Sequence, residues 1–120
     1  MSHRHFKVSQ EDSVNVLELT LPVVVDFAEF DKLNELVGDA AGQAGDQRWV
    51  IDLSQVDYVG SALLGLLVNL RQRVKTAGGR LVLCGLSDQV NKALQTCSLH
   101  NLFTIAPARK DAVAKVRNLR

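Results

Sequence analysis

The sequence predicts a single α/β domain, with a mixed sheet of about five strands and about four helices packed on it. A length of 120 residues fits one domain, spanning residues 1–120, whose core needs no disulfide or metal. Two stretches near the start alternate apolar and polar side chains, which is typical of strands with one buried face. Helical periodicity and short apolar runs then alternate to the end of the chain, which predicts right-handed crossovers and a largely parallel inner sheet.

The first two strands are predicted at residues 6–10 and 14–19, with the turn-like Glu11-Asp12-Ser13 between them. A hairpin of edge strands is the simplest arrangement of this pattern. The next segment is Leu21-Pro22-Val23-Val24-Val25. Its valines favour extended backbone, whereas Pro22 argues against a central strand, so we interpret it as a strand-like connection.

The first helix is predicted to begin after Asp26, whose carboxylate can cap it. Gly42 and Gly45 are expected to end it. Between these limits apolar residues recur at spacings of three and four, which predicts one stripe facing the sheet. The stripe consists of Phe27, Phe30, Leu33, Leu36, Val37 and Ala40.

The centre of the chain is predicted to be a strand, a loop and a second helix. Trp49-Val50-Ile51 is an apolar, largely β-branched run that suits a strand buried on both faces. After polar residues comes a long apolar block, which ends in basic residues and Gly78-Gly79. Ser61 opens this block and is a good N-cap, so the second helix is predicted to start there.

The remaining elements continue the alternation. Residues 80–84 form another apolar run that predicts a buried strand, and Ser87 is expected to cap a third helix. A last short strand is predicted at residues 102–105 and an amphipathic helix at residues 110–119. The inner side of the third helix is predicted to carry Val90, Ala93, Leu94 and Cys97.

Composition and spacing favour a protein without a metal or a cofactor. The chain has two cysteines, and both Cys84 and Cys97 are expected to be buried free thiols. His3 and His5 are expected in a frayed N-terminus, and His100 has no ligand at metal-binding spacing. Nothing forms a G-x-S-x-G elbow or a phosphate loop, so the sequence does not predict an enzyme.

Charge and hydropathy argue against nucleic-acid or membrane binding. There are 14 Lys and Arg against 13 Asp and Glu, a net charge of +1, and no aromatic platform for bases. No apolar run reaches the length of a membrane span, and the N-terminus lacks the apolar core of a signal peptide. The protein is therefore expected to be cytoplasmic.

Three motifs in order carry a family resemblance: Ile51-Asp52-Leu53-Ser54-x-Val56-x-Tyr58-Val59-x-Ser61-x-x-x-Gly65, then Gly78-Gly79-Arg80-Leu81-Val82-Leu83-Cys84, then Val90-x-x-Ala93-Leu94. Together they resemble the STAS domain of the anti-sigma factor antagonists, from Phe6 onward and most strongly in residues 50–103. The resemblance implies a non-catalytic protein that binds an anti-sigma factor of the serine kinase type and thereby releases the sigma factor. It also implies that this kinase phosphorylates a serine at the start of the second helix.

Carried onto this chain, the phosphorylated serine corresponds to Ser61. Kinase substrates of the family commonly read Asp-Ser-Ser/Thr-Gly, whereas this loop reads Gly60-Ser61-Ala62-Leu63. Phosphorylation adds about −1.5 to −2 charges at the positive end of a helix, where a bound partner must desolvate them. The alternative is that Ser61 only caps the helix, which contributes about 1 kcal/mol of stability.

Leucines wrap more than one face of the second helix, so part of this apolar surface is expected to be exposed for a protein partner. The alternative is that the first and third helices cover it. A second function also stays open: an accessory or scaffold STAS protein of a transporter or a larger signalling complex, without control by phosphorylation. The oligomeric state is not predicted. The candidate partner-binding residues are Tyr58, Gly60, Ser61, Ala62, Leu64 and Val68.

Overall fold

A mixed sheet lies at the centre of the structure, a computed structural model that describes residues 4–42 and 47–119. The described strands are β1 (Phe6–Glu11), β2 (Val14–Leu21), β3 (Arg48–Val56), β4 (Arg80–Cys84) and β5 (Thr104–Ala106). They lie in chain order across the sheet. β1 is antiparallel to β2, and the other neighbouring pairs are parallel.

Helices cover both faces of this sheet. They are α1 (Phe27–Ala41), α2 (Ser61–Thr76), α3 (Asp88–Thr96) and α4 (Arg109–Arg117). A short 3-10 helix at His100–Leu102 takes up the start of the predicted last strand, which therefore begins two residues later than expected. The predicted fold class, a mixed sheet of about five strands with about four helices, is confirmed.

The central strand β3 is buried on both faces, as its apolar run predicts. Successive residues of a strand point to opposite faces. Trp49, Ile51 and Leu53 accordingly belong to the core under α1, α2 and α3, and Val50 to the core under α4. The α4 side chains of the second core are Ala112, Val113 and Val116.

Two of the predicted helix caps are confirmed. The Asp26 carboxylate accepts a hydrogen bond from the Ala28 amide at 2.8 Å, and the Ser87 hydroxyl accepts one from the Val90 amide at 3.2 Å. At the other end of α1 the Gly42 amide donates to the Gly38 carbonyl. Gly45, the second expected terminator, lies outside the described residues.

Phe27 does not join the apolar stripe of α1, and this expectation is wrong. Its side chain is 82% exposed, whereas Phe30, Leu33 and Val37 are buried against the sheet. Phe27 is the first residue of the helix. Because helical side chains lean toward the N-terminus, a ring at this position extends beyond the first turn and away from the core.

His5 is buried rather than frayed, which corrects a second expectation. Its ring nitrogens lie 3.1 Å from the Thr20 carbonyl oxygen and 3.2 Å from the Glu29 carboxylate. These contacts join the start of β1 to the first turn of α1. His3 lies outside the described residues.

A buried carboxylate, Asp52, joins β3 to α4. It is 5% exposed, and its oxygens accept hydrogen bonds from the Ser54 amide and the Arg109 Nε, both at 2.9 Å. The Arg109 guanidinium also contacts the carboxylates of Glu18 and Glu11. Burial alone would raise the pKa of Asp52, but the hydrogen bonds from Ser54 and Arg109 outweigh it and hold that pKa below the ordinary 3.8.

Gly85 leaves room for this carboxylate. Its φ is +70°, a left-handed conformation that favours glycine, and an added Cβ would lie 3.0 Å from the Asp52 Oδ1. The same Cβ would lie 2.9 Å from the Ser54 amide nitrogen. The turn after β4 therefore requires glycine at position 85, because a larger residue would collide with Asp52 and Ser54.

Replacing Asp52 by Asn is expected to lower the free energy of unfolding at pH 7 by about 2 kcal/mol, because a buried charged hydrogen-bond partner of Arg109 is lost. The folded-state pKa is depressed, so this contribution is complete above about pH 5 and is lost as the pH falls through the folded-state value. Urea unfolding of both proteins at pH 7 and pH 3 measures it. Asp31→Asn, at an exposed position of α1, is the control. If the wild type exceeds Asp52→Asn in free energy of unfolding by the same amount at both pH values, the role assigned to the Asp52 charge is contradicted.

The two cysteines differ in exposure. Cys84 is buried as expected, and burial, with Asp52 nearby, raises the pKa of its thiol to about 12. The expectation for Cys97 is wrong: it is exposed, because α3 ends at Thr96 and leaves Cys97 as its C-cap.

A thiol reagent at pH 8 is expected to label only Cys97 in the folded protein, because a buried thiol with a raised pKa is neither accessible nor ionised. Absorbance of the released chromophore counts the thiols. Both cysteines are expected to react in guanidinium chloride, and folded Cys97→Ser is expected not to react. Labelling of folded Cys97→Ser at the rate of its unfolded form would contradict the burial of Cys84.

Candidate functional site

The starts of α1 and α2 lie together at the carboxyl ends of the parallel strands. α1 follows β2 and α2 follows β3, and these two strands are neighbours. The Asp57 amide donates a hydrogen bond to the Leu21 carbonyl at 2.7 Å, which joins the two connections. In sheets of this kind, binding sites form at the carboxyl ends of the strands.

Ser61 is the first residue of α2, and its side chain is exposed. The N-cap is Gly60, which has extended backbone, and its carbonyl accepts a hydrogen bond from the Leu63 amide at 3.1 Å. No side chain of the described residues caps this helix. The expectation that Ser61 is the N-cap is therefore wrong by one position, and its hydroxyl has no capping role.

The side chain of Tyr58 disfavours any larger residue than glycine at position 60, where kinase substrates among the anti-sigma factor antagonists commonly carry Asp. A Cβ added to Gly60 would lie 2.6 Å from the Tyr58 hydroxyl oxygen and 2.9 Å from the ring. The Tyr58 ring packs on Phe30, with ring centroids 4.8 Å apart, so it cannot move away freely. The packing of Tyr58 on Phe30 of α1 therefore favours glycine at position 60.

Large apolar side chains are exposed in the connections that lead into α1 and α2 and at the start of α1. Val23 and Val24 of the connection before α1 are 71% and 82% exposed, Phe27 is 82% exposed, and Val59 is 42% exposed. We call Ser61 and these four residues the Ser61 surface. Exposed apolar residues grouped beside polar ones are typical of a protein interface.

A groove between α1 and α2 continues this surface. Gly65 lies one turn after Ser61, and a Cβ added there would meet none of the described atoms within 4 Å. Glycine inside a helix costs about 1 kcal/mol relative to alanine, and the packing of the described residues gives no reason for it. The groove is lined by Phe27, Phe30, Asp31, Asn34, Ser61, Ala62, Gly65 and Leu66.

Polar contacts hold the two helices of the groove together. The Asn69 amide donates to the Asn34 side-chain oxygen at 2.8 Å. The Arg73 guanidinium donates to the Gly38 carbonyl at 3.2 Å and to the Asp39 carboxylate at 2.9 Å. The Arg73 contacts lie along the helices beyond the groove, whereas Asn34 itself lines the groove, and together these contacts hold α1 and α2 side by side.

The structure brings most of the predicted partner-binding residues together. Ser61 is exposed, while Tyr58, Gly60 and Ala62 are partly exposed beside it. Leu64 is buried at 9% exposure in the core, so its expected exposure is wrong. Val68 is half-buried and packs against the same core.

Sequence reasoning missed five residues of this region: Val23, Val24, Phe27, Val59 and Gly65. The valines stand beside Pro22 in a segment outside regular structure, and an apolar run without a strand or helix to bury it is the signal that was available. Phe27 fits the α1 periodicity, so only its position in the first turn distinguishes it.

The described residues contain neither a candidate metal-binding cluster nor a candidate membrane-spanning helix. No cluster of His, Cys, Asp or Glu in residues 4–42 and 47–119 is arranged to hold a metal ion. In the same ranges no helix is long and apolar enough to cross a membrane.

Sequence comparison finds a related protein of similar length. The candidate anti-sigma factor antagonist BtrV of Bordetella bronchiseptica is 28% identical over 108 residues, which are 90% of this chain and 92% of BtrV.

Solved structures share the fold. An anti-sigma factor antagonist (STAS) domain protein of Planctomyces limnophilus has a TM-score of 0.81 at 22% identity, over 94% of this chain and 98% of that one. The anti-sigma factor antagonist SpoIIAA in its unphosphorylated form has a TM-score of 0.73 at 18% identity, over 96% and 98%. The murine anion transporter Slc26a9 contains the fold in 19% of its chain, with a TM-score of 0.72 at 18% identity over 92% of this chain.

The family model described as the STAS domain matches residues 5–112. This range includes every strand, the first three helices and the whole Ser61 surface. The chain belongs to the STAS domain family.

Proposed function

We propose that this STAS domain is an anti-sigma factor antagonist that binds an anti-sigma factor of the serine kinase type and so releases the sigma factor. Phosphorylation of Ser61 by that kinase ends the binding. The observation that carries the proposal is the exposed Ser61, whose hydroxyl has no capping role, beside the exposed side chains of Phe27 and Val59. The relationship to BtrV supports the same class of partner.

Electrostatics explain how one phosphate controls this surface. The first amide groups of α2 have no side-chain cap in the described structure and lie at the positive end of the helix dipole. A phosphate on Ser61 is therefore compatible with the folded domain. A partner seated on Val59 and Phe27 would have to desolvate that phosphate, which weakens binding.

A second candidate function is an accessory or scaffold domain of a transporter or signalling complex, without phosphorylation. The loop Gly60-Ser61-Ala62 favours it, because the acid and second hydroxyl of kinase substrates are missing. The presence of the fold in Slc26a9 supports this alternative. Both functions use protein binding without catalysis in the cytoplasm, and they differ in whether Ser61 accepts a phosphoryl group.

Replacing Ser61 by Glu is expected to weaken binding to the anti-sigma factor of the same organism at least about tenfold, because the added charge must be desolvated. The free energy of unfolding is expected to change by less than about 1 kcal/mol, since an acid at a helix N-terminus is favourable. Calorimetric titration and urea unfolding measure the two quantities. Ser98→Asp, at an exposed position after α3, is the charge-matched control. Wild-type affinity in folded Ser61→Glu would contradict the proposal.

Incubation with ATP and the anti-sigma factor is expected to add the mass of one phosphoryl group to the wild type and none to Ser61→Ala, because Ser61 carries the exposed hydroxyl at the α2 start. Intact-mass spectrometry makes this measurement. Tight binding without any mass gain in the wild type would favour the scaffold function.

Replacing Gly65 by Ala is expected to raise the free energy of unfolding by about 0.5–1 kcal/mol, because alanine is the better helix former and its Cβ meets open space. The same change is expected to weaken binding of the anti-sigma factor, since the methyl group fills the groove beside Ser61. Urea unfolding and calorimetric titration separate the two effects. Gly65→Ala that is more stable and binds normally would exclude the groove from the interface.

A further inference from the structure

A second groove lies at the amino-terminal ends of β4 and β5, at the opposite end of the parallel strands from the Ser61 surface. β5 is three residues long and pairs with β4 only from Val82 onward. In the described sheet, Arg80 and Leu81 therefore have no strand beside them on the β5 side. The gap opens a groove of about 440 Å³, bordered by the last turns of α2 and by Leu119.

The floor of this groove is apolar. Leu102 is 40% exposed, and Leu81 and Leu119 are half-buried. No lining residue in the described part of the chain is aromatic, so the groove offers no platform for stacking a nucleic-acid base.

The rim of the groove carries three cations: Arg71, Lys75 and Arg80. The Arg71 Nε donates to the Leu102 carbonyl at 2.7 Å, and the Arg80 Nη1 donates to the Gly79 carbonyl at 3.0 Å, which orients both side chains. Lys75 is exposed and forms no ion pair with a described residue. No acidic residue of the described ranges lines the groove.

We propose that this groove, with its apolar floor and three cations, binds an extended acidic segment of a partner protein that inserts one aliphatic side chain. Carboxylates on either side of that side chain complement Arg71 and Arg80, and Lys75 adds charge that attracts the segment. The site is separate from the Ser61 surface. Lys75 lies about 20 Å farther along α2 than Ser61, at 1.5 Å per residue.

The domain therefore has one binding surface at each end of its parallel strands. It can hold two partners at once. Binding in the second groove does not depend on Ser61 phosphorylation. The assignment stands on the charge and shape of the groove, so it survives if the function proposed for the Ser61 surface is wrong.

Titration of the isotope-labelled 120-residue chain tests the proposal. The probe is a heptapeptide with one central leucine and three glutamates on each side, and the control peptide has glutamines in place of the glutamates. NMR amide shifts are expected in residues 71–81 and 102–104 with the acidic peptide. The proposal would be overturned if the glutamine peptide caused amide shifts as large as those of the acidic peptide. Shifts confined to the α1–α2 groove would also overturn it.

Charge reversal of Lys75 supplies the matched variants. Lys75→Glu is expected to weaken binding of the acidic peptide at least about fivefold, whereas Lys92→Glu, an equal charge change on α3, is expected to leave it within about twofold. Lys75 is exposed, so both variants are expected to keep the wild-type spectrum elsewhere. Equal losses in the two variants would overturn the site. A response to inorganic phosphate or anionic phosphatidylglycerol vesicles without a response to the peptide would also overturn it.

Discussion

The ionic contact between Arg109 and Asp52 is the constraint on which the arrangement of this domain depends. Asp52 lies in the middle of a strand buried on both faces, and a buried carboxylate without a partner is strongly destabilising. One guanidinium supplies the partner and also contacts Glu11 of β1 and Glu18 of β2. It thereby ties the start of α4 to three adjacent strands.

The other end of α4 is held by a second arginine. Arg48, at the start of β3, donates to the carbonyls of Val116 and Leu119. With both of its ends fixed, α4 packs on one face of the sheet, and α1, α2 and α3 pack on the other. Both candidate surfaces lie at the ends of the parallel strands.

Helix boundaries and burial could be predicted from the sequence where local chemistry decides them. Asp26 and Ser87 cap their helices because each is followed directly by a helical run. Ser61 was misplaced because the cap is decided by backbone conformation, and Gly60 takes the extended conformation that a cap requires. The contact of Arg109 with Asp52 joins residues 57 positions apart, so no local pattern reveals it. The exposure of Phe27 follows from its position as the first residue of α1, which apolar periodicity alone does not distinguish.

Two glycines show how structure and function can be separated in this chain. Gly85 is required internally, because its backbone is left-handed and an added Cβ would strike the Asp52 site. Gly65 has ordinary helical neighbours and open space around it, and yet the chain carries the least favourable residue other than proline for a helix interior. Nothing described within the domain explains Gly65, whereas the partner proposed for the α1–α2 groove would use the space that the missing side chain leaves. The proposed interface thus assigns a role to a glycine that costs the helix about 1 kcal/mol relative to alanine.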